Sequence, residues 1–402
     1  MRSQPKSVCL IASGIVERNL RLQPWRYLFE VSSGLAYKGY EVTIITTGNP
    51  GAEVFEEEDS ISIIRIPSIR NPLWCTNNQL QDTLSRIAPD VILWHVSQLS
   101  FLYQQLEGPP GTTIIGIFTS PIYHLRDLSH LGMKKLVRSY RLTTLHVLSS
   151  LVPKWLYRYL IEVSKFACLV VQTETTRRQL VEQGLWGGEI RVIPPGVDKD
   201  WRKPGGSSRE DLRSCLGYQP EDILIVFFGS PEPLRGGPTL VQAFTLAHSK
   251  DASLKLMILS RRRKTELRME NRVLEKAIFA SQYNQHIQVI NGFLNQEDLI
   301  RYVAVGDIVA LPFELVPSDA PLSLIEAGAL DMPVVTNRVA CLPELVSSMK
   351  HFLAEPADPF SLSHALQQGV KDLRQRIPPG NQSFVRSWKE MAGEWSQLIQ
   401  SL

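Results

Sequence analysis

The chain has 402 residues, 44% hydrophobic and 21% charged, with 43 Lys and Arg against 40 Asp and Glu. That length suits two or three domains with full cores, and the composition is ordinary for a globular protein. A formal net charge of +3 is too small to argue for nucleic acid, and no run of about 18 uncharged apolar residues exists to span a membrane.

The five cysteines (Cys9, Cys75, Cys168, Cys215 and Cys341) form no CxxC pair and no Cys/His metal spacing, so no metal site is expected. Cys9 and Cys168 lie in apolar runs and read as small core residues, a usage that suits a reducing cytosol. Residues 1–6 precede a short apolar strand rather than a signal-peptide core.

Strands and helices alternate almost throughout. Apolar runs predict strands at 8–12, 41–45, 62–66, 91–94, 113–117, 167–171 and 190–193. A helix is expected over 26–37, where Leu28, Val31, Leu35 and Ala36 recur near a 3.6-residue period, and Gly39 ends it. After Pro194-Pro195-Gly196 the pattern restarts, with strands at 223–228, 254–259, 287–290 and 308–311. Strands apolar along their whole length, with helices between, argue for parallel sheets covered on both faces. The expected class is α/β, with two doubly wound Rossmann-like domains facing across a cleft. The expected boundaries are 1–195 and 196–382, with 383–402 a helix (Trp388, Met391, Trp395, Leu398) closing the N-terminal domain.

Residues 128–161 contain no acid. Lys134, Lys135, Arg138, Arg141, Lys154 and Arg158 are interleaved with Trp155, Tyr157, Tyr159 and many leucines. That mixture suits contact of 131–160 with an anionic membrane surface. The competing reading is two core-packed helices with solvated basic residues, divided at Pro153.

Two segments carry chemistry. The loop 228–238 (FGSPEPLRGGP) follows a strand and opens a helix at 239–244. Its glycines allow close backbone approach, and Arg235 offers a planar fork for a diphosphate, or is a solvated loop residue. The segment 311–346 (LPFELVPSDAPLSLIEAGALDMPVVTNRVACLPELV) reads strand, polar turn, helix, strand. A helix N-terminus at the carboxyl end of a parallel strand is an anion site, and Glu326 one turn inside could accept hydrogen bonds from sugar hydroxyls. The plainer alternative is an ordinary βαβ unit with a solvated glutamate.

Four stretches together resemble the retaining, nucleotide-sugar-dependent glycosyltransferases of family 4, which have the GT-B fold. GYEVTIIT at 39–46 looks like that family's GHEVTVIT strand, and IPPGVD at 193–198 like its interdomain IPNGVD. Residues 228–244 look like its glycine-and-lysine loop, and 317–344 like its block of two acids with seven residues between them followed by PVV and PE.

The resemblance implies an enzyme that moves a sugar from a nucleotide diphosphate sugar to an acceptor. That acceptor would be a lipid-linked glycan or other cell-envelope glycoconjugate. Glu326 would hold the ribose, Arg235 the leaving diphosphate, and Pro321, Leu322 and Ser323 would cradle phosphates or sugar. Gly229, Ser230 and Gly236 would complete the donor loop, and no metal or other cofactor would be needed. The implied place is cytoplasmic, peripheral on the inner face of the cell membrane; the oligomeric state is not readable.

The chain departs from the pattern at several points. Ser318 stands where the first acid belongs, with Asp319 one residue off and Glu314 upstream. Ser318 and Asp319 are expected to face the donor sugar. Ser230 replaces the loop arginine, and Arg18 or Arg21, in a segment replacing the glycine-rich loop after the first strand, could supply that charge. His124 is expected to be the pocket histidine ahead of His95. These departures motivate two rivals: a non-catalytic GT-B subunit that binds a partner glycosyltransferase, and a nucleotide-sugar epimerase or hydrolase.

Overall fold

The computed structural model describes residues 7–48, 61–67, 69, 77–97, 107–132, 140–201, 206–261, 268–292, 294–375 and 386–402. Two all-parallel sheets organise them. The first contains β1 (Ser7–Ile11), β2 (Glu41–Thr47), β3 (Ile61–Ile66), β4 (Val91–Val96), β5 (Thr113–Phe118), β6 (Cys168–Val171) and β7 (Ile190–Val192), in spatial order 3-2-1-4-5-6-7. The second contains β8 (Ile223–Gly229), β9 (Leu254–Ser260), β10 (Ile287–Asn291), β11 (Ile308–Leu311), β12 (Val334–Asn337) and β13 (His351–Ala354), in order 10-9-8-11-12-13. The sequence reading missed β13, a short His-Phe-Leu-Ala strand that only pairing with β12 identifies.

Side-chain alternation divides the first sheet between two cores. Leu10, Ile44, Leu93, Ile115 and Val170 point to one face, while Cys9, Ile11, Ile45, Ile92 and Trp94 point to the other. The first face is covered by the helix Trp25–Tyr37 and by the C-terminal helix Trp388–Ser401. Those helices cross so closely that a Cβ on Gly34 would lie 2.3 Å from the Ala392 Cβ. Trp395 is fully buried there and donates to the Tyr27 hydroxyl, which donates to Ile193 O at 2.8 Å. Ser387 and Glu390 form a capping box at the start of that last helix.

Strand order reverses between β1 and β4 in the first sheet and between β8 and β11 in the second. Loops at such points leave a crevice beyond the strand ends. Here the two crevices face each other across one cleft. Among the described residues, no helix is long and apolar enough to cross a membrane.

Candidate functional site

The cleft has a volume of about 490 Å³ and two walls of different origin. The second sheet supplies one wall through the ends of β8, β9 and β10 and the turn after β11: Gly229, Ser230, Arg235, Arg261, Ser318, Ser323 and Glu326. The opposite wall combines Asn19, Arg21, Gln23 and Arg26 with the linker residues Gly196 and Asp198 and with Trp388.

Glu326 lies on the helix Leu322–Ala329, which is held by apolar Leu324 and Ala327 beneath it. Its carboxylate accepts no hydrogen bond from any described residue and faces the cleft. Burial pushes its pKa up to about 7; Arg261 opposes that rise, Asp198 adds to it, and Arg26 opposes it. An acid held this way is poised to take hydrogen bonds from ligand hydroxyls. Pro321 caps the helix without a side-chain bond, so its first N–H groups are open toward the cleft.

Arg235 closes a 3-10 turn, Pro233–Arg235, and its guanidinium stacks over Phe313 with 5.0 Å from Cζ to the ring centroid. Burial pushes its pKa down and Glu232 counters that shift, but a guanidinium keeps its charge and so attracts an anion. The helix Gly237–His248 that follows also starts without a side-chain cap. That helix start does not line the cleft, so Arg235, Arg261 and the uncapped start of the helix Leu322–Ala329 make the diphosphate site.

The opposite wall is held by ion pairs and one stacking contact. Arg26 pairs with Glu30 at 2.6 Å and Asp198 at 2.7 Å, and its Cζ lies 5.7 Å from the Trp388 ring. Gln23 donates to Ala320 O across the cleft at 3.3 Å. Among the described residues, no hydrogen-bond partner meets the buried cleft atoms Gln23 Oε1, Ser323 Oγ and Trp388 Nε1. Buried polar atoms are costly when unmatched, so each marks a place for a ligand or solvent group.

Of the residues expected from sequence, Gly229, Ser230, Arg235, Ser318, Pro321, Leu322, Ser323, Glu326 and Arg21 line the cleft. The side chain of Arg18 lies outside the described residues. Three expectations need correction. Asp319 turns away from the cleft and is fully buried, accepting from Gln172 N at 3.0 Å, Thr173 Oγ1 at 2.7 Å and Thr176 Oγ1 at 2.5 Å. Its carboxylate is spent on the first domain and has no lone pair facing a sugar. His124 is absent from the cleft lining; its Nε2 lies 3.0 Å from Gln183 Nε2 at the C-terminal end of the first-domain helix Glu174–Glu182. Gly236 serves the backbone rather than a ligand: at φ +79°, a Cβ there would lie 1.8 Å from Pro312 O. Glu314 bonds Thr239 Oγ1 at 2.5 Å and is fully buried, so it does not replace the missing acid either. His95 pairs with Thr119 Oγ1 at 2.9 Å, as a structural histidine does.

Sequence reasoning missed Arg261, Arg26, Asp198, Gln23 and Trp388. Arg261 had a signal, since it directly follows a buried strand of the second sheet. Asp198 ends the IPPGVD stretch at 193–198, whereas nothing in the spacing joins it to the Gln23–Arg26 segment or to Trp388.

Comparison with known proteins agrees with this arrangement. Residues 25–201 match Glycosyltransferase Family 4, and residues 222–372 match Glycosyl transferases group 1. The chain is 27% identical over 226 residues to a D-inositol 3-phosphate glycosyltransferase of Jonesia denitrificans, a match spanning 53% of this chain and 51% of that relative, about half of its length. A longer match, 25% identical over 393 residues, joins it to the enzyme of the same description from Xylanimonas cellulosilytica, covering 91% of this chain and 88% of that one. Among solved structures, Anabaena HepE in complex with UDP superimposes with a TM-score of 0.69 at 13% identity, over 99% of this chain and 100% of that one. At that identity the likeness concerns the fold, which is GT-B. The first domain is thus similar to Glycosyltransferase Family 4 and the second to Glycosyl transferases group 1, with a GT-B fold beneath both.

Proposed function

We propose that this chain transfers a sugar, with retention, from a nucleotide diphosphate sugar to an acceptor hydroxyl. One observation carries the reading: the Glu326 carboxylate, which accepts no hydrogen bond from any described residue, shares a cleft with Arg235, Arg261 and the uncapped start of the helix Leu322–Ala329. Glu326 would hold the ribose hydroxyls. Arg235 and the start of the helix Leu322–Ala329 would bind the diphosphate and stabilise the negative charge that grows on it as the glycosidic bond breaks. This assigns charge neutralisation to the protein and asks no metal of the reaction. HepE, solved with UDP and with UDP-glucose, supports a nucleotide sugar as donor, and the resemblance to retaining enzymes supports retention.

The acceptor would enter along the wall of Asn19, Gln23, Arg26 and Trp388. The relatives' description as D-inositol 3-phosphate glycosyltransferases favours a hydroxyl-rich head group there, and a lipid-linked glycan presents one too. A second observation supports action at a membrane surface, peripheral on the cytoplasmic face. On the helix Lys154–Val163, Trp155 is 71% exposed and Tyr159 55% exposed, and Leu151 just before it is 58% exposed. Lys154 adds charge, whereas Arg158 is paired with Glu162 at 2.7 Å. Lys134, Lys135 and Arg138 lie outside the described residues. Sedimentation with anionic liposomes at low salt, released by high salt and weakened by Trp155→Ser, is the expected result; no sedimentation at low salt removes the membrane from the reading.

The test of the activity is a thermal-shift screen against nucleotide diphosphate sugars and free nucleotides, with Glu326→Ala alongside. A shift with one donor, lost in the variant, is expected. No shift with any donor would favour the non-catalytic subunit. Donor turnover without acceptor would favour the epimerase or hydrolase.

A further inference from the structure

Two acids of the second domain lie outside the cleft yet flank the segment that builds its donor wall. Asp319 directly follows Ser318, and Glu344 lies on the short helix Leu342–Val346 beyond β12. Both reach the same place on the first domain, the start of the helix Glu174–Glu182 and the residues leading into it. Asp319 accepts from Gln172 N, Thr173 Oγ1 and Thr176 Oγ1. Glu344 accepts from Glu174 N at 2.7 Å, Thr175 N at 2.6 Å and Thr175 Oγ1 at 2.5 Å. The seam continues through Asp319 N to Thr119 O at 2.7 Å, and through Val316 N to the Tyr123 hydroxyl at 2.8 Å.

We propose that Asp319 and Glu344 are positioning residues: they pin the donor-binding segment to the helix Glu174–Glu182 and make that helix start the pivot on which the cleft opens and closes. The proposal rests on the donor site described above. Charge-assisted bonds from a carboxylate to backbone N–H groups at a helix start are among the stronger contacts available between two domains. Separating them would leave the buried Asp319 carboxylate and several backbone donors without partners. Across the cleft itself, Gln23 to Ala320 O is a single neutral bond at 3.3 Å. Motion between the domains therefore rotates about the seam. It changes the distance from the Gln23 wall to Glu326 while leaving Ser318 and the Leu322 helix in register.

The two acids respond differently to amide substitution. Both Glu344 oxygens take backbone N–H groups, which cannot reverse, so Glu344→Gln forces an NH2 against a donor in either orientation. In Asp319 one oxygen takes a backbone N–H and the other only hydroxyls, which can turn and accept. Asp319→Asn is therefore tolerated, whereas Asp319→Ala is not.

Spin labels at Tyr37→Cys and Phe279→Cys, both on exposed positions in different domains, report the interdomain distance once Cys215 and Cys75 are replaced by Ser. The expected result is a narrow distribution in the otherwise unchanged protein and in Asp319→Asn, broadened in Glu344→Gln and Asp319→Ala. UDP affinity falls about tenfold in the two broadened variants, the cost of roughly one charge-assisted bond. Thr175→Val, which deletes one hydroxyl contact and no backbone bond, broadens the distribution less and serves if Glu344→Gln fails to fold. Unchanged distributions in all three broadening variants overturn the pivot. Absence of UDP binding in the unsubstituted protein counts against the donor reading instead, while the distance measurement still decides the pivot.

Discussion

The two walls of the cleft are built in opposite ways. The donor-side wall comes mainly from two continuous stretches, 228–235, a strand end and a turn, and 317–326, a turn and a helix start. The facing wall gathers residues 19–26, the linker at 196–201 and Trp388, which lie hundreds of positions apart. Local sequence carries the first wall because strand, turn and helix start must follow one another to make an anion site. It cannot carry the second, where three separate segments owe their proximity to the fold and not to spacing. The donor wall should therefore fail sharply when single residues change, and the other wall gradually.

The largest effect expected is on folding. Gly236→Ala places a Cβ against Pro312 O at positive φ, and the loop that carries Arg235 must shift. A loss of about 3 kcal/mol or more in denaturant unfolding is expected; a loss under about 1 kcal/mol would mean that the loop is slack and the wall not pre-formed.

Next is Glu326→Ala, which should weaken donor binding about 100-fold, the cost of two hydroxyl bonds to a carboxylate, while the melting temperature without donor stays unchanged or rises. Isothermal titration with the donor found in the screen checks it, and wild-type affinity would falsify the ribose assignment.

The pH dependence sharpens the same point. The free enzyme holds the Glu326 carboxyl near pKa 7, raised from 4.5, so below pH 7 it is mostly protonated and gives up hydrogen-bond acceptors. Donor affinity should rise about tenfold from pH 6 to 8 and level off above that, with proton release on binding. The diphosphate diester has no group titrating in that window. Glu326→Gln should flatten the profile. The sign for stability is opposite: because the folded-state pKa is raised, this group's contribution is present below about pH 4.5 and is lost as pH rises toward 7. Glu326→Gln should therefore raise the melting temperature at pH 8 while weakening donor binding.

The smallest effect tests the second wall. Trp388→Phe keeps the ring packed but deletes the Nε1 donor, and Gln23→Leu deletes the unmatched Oε1. Each should raise the acceptor KM about three- to tenfold with donor affinity unchanged. A loss of donor affinity instead would move both residues to the donor's side of the reaction.

Much of this protein was legible in its residues. Unbroken apolar strands alternating with helices imply parallel sheets, since only burial on both faces tolerates such runs. Arg235 and Glu326 stand out because a glycine-rich turn or a helix start beside a buried strand is anion-binding geometry by itself. Asp319 shows the limit of that reasoning. Its sequence position beside Ser318 suggests a ligand group, but the chain bends through 317–320 and turns the Asp319 side chain into the first domain. The short strand β13 and the assembly of Gln23, Arg26, Asp198 and Trp388 into one wall also required the folded chain. Local backbone preference and apolar periodicity are properties of neighbouring residues, so the sequence by itself determined the sheets and the donor turns. The direction of each polar side chain between two domains depends on which donors the other domain brings, and only the tertiary structure decided that.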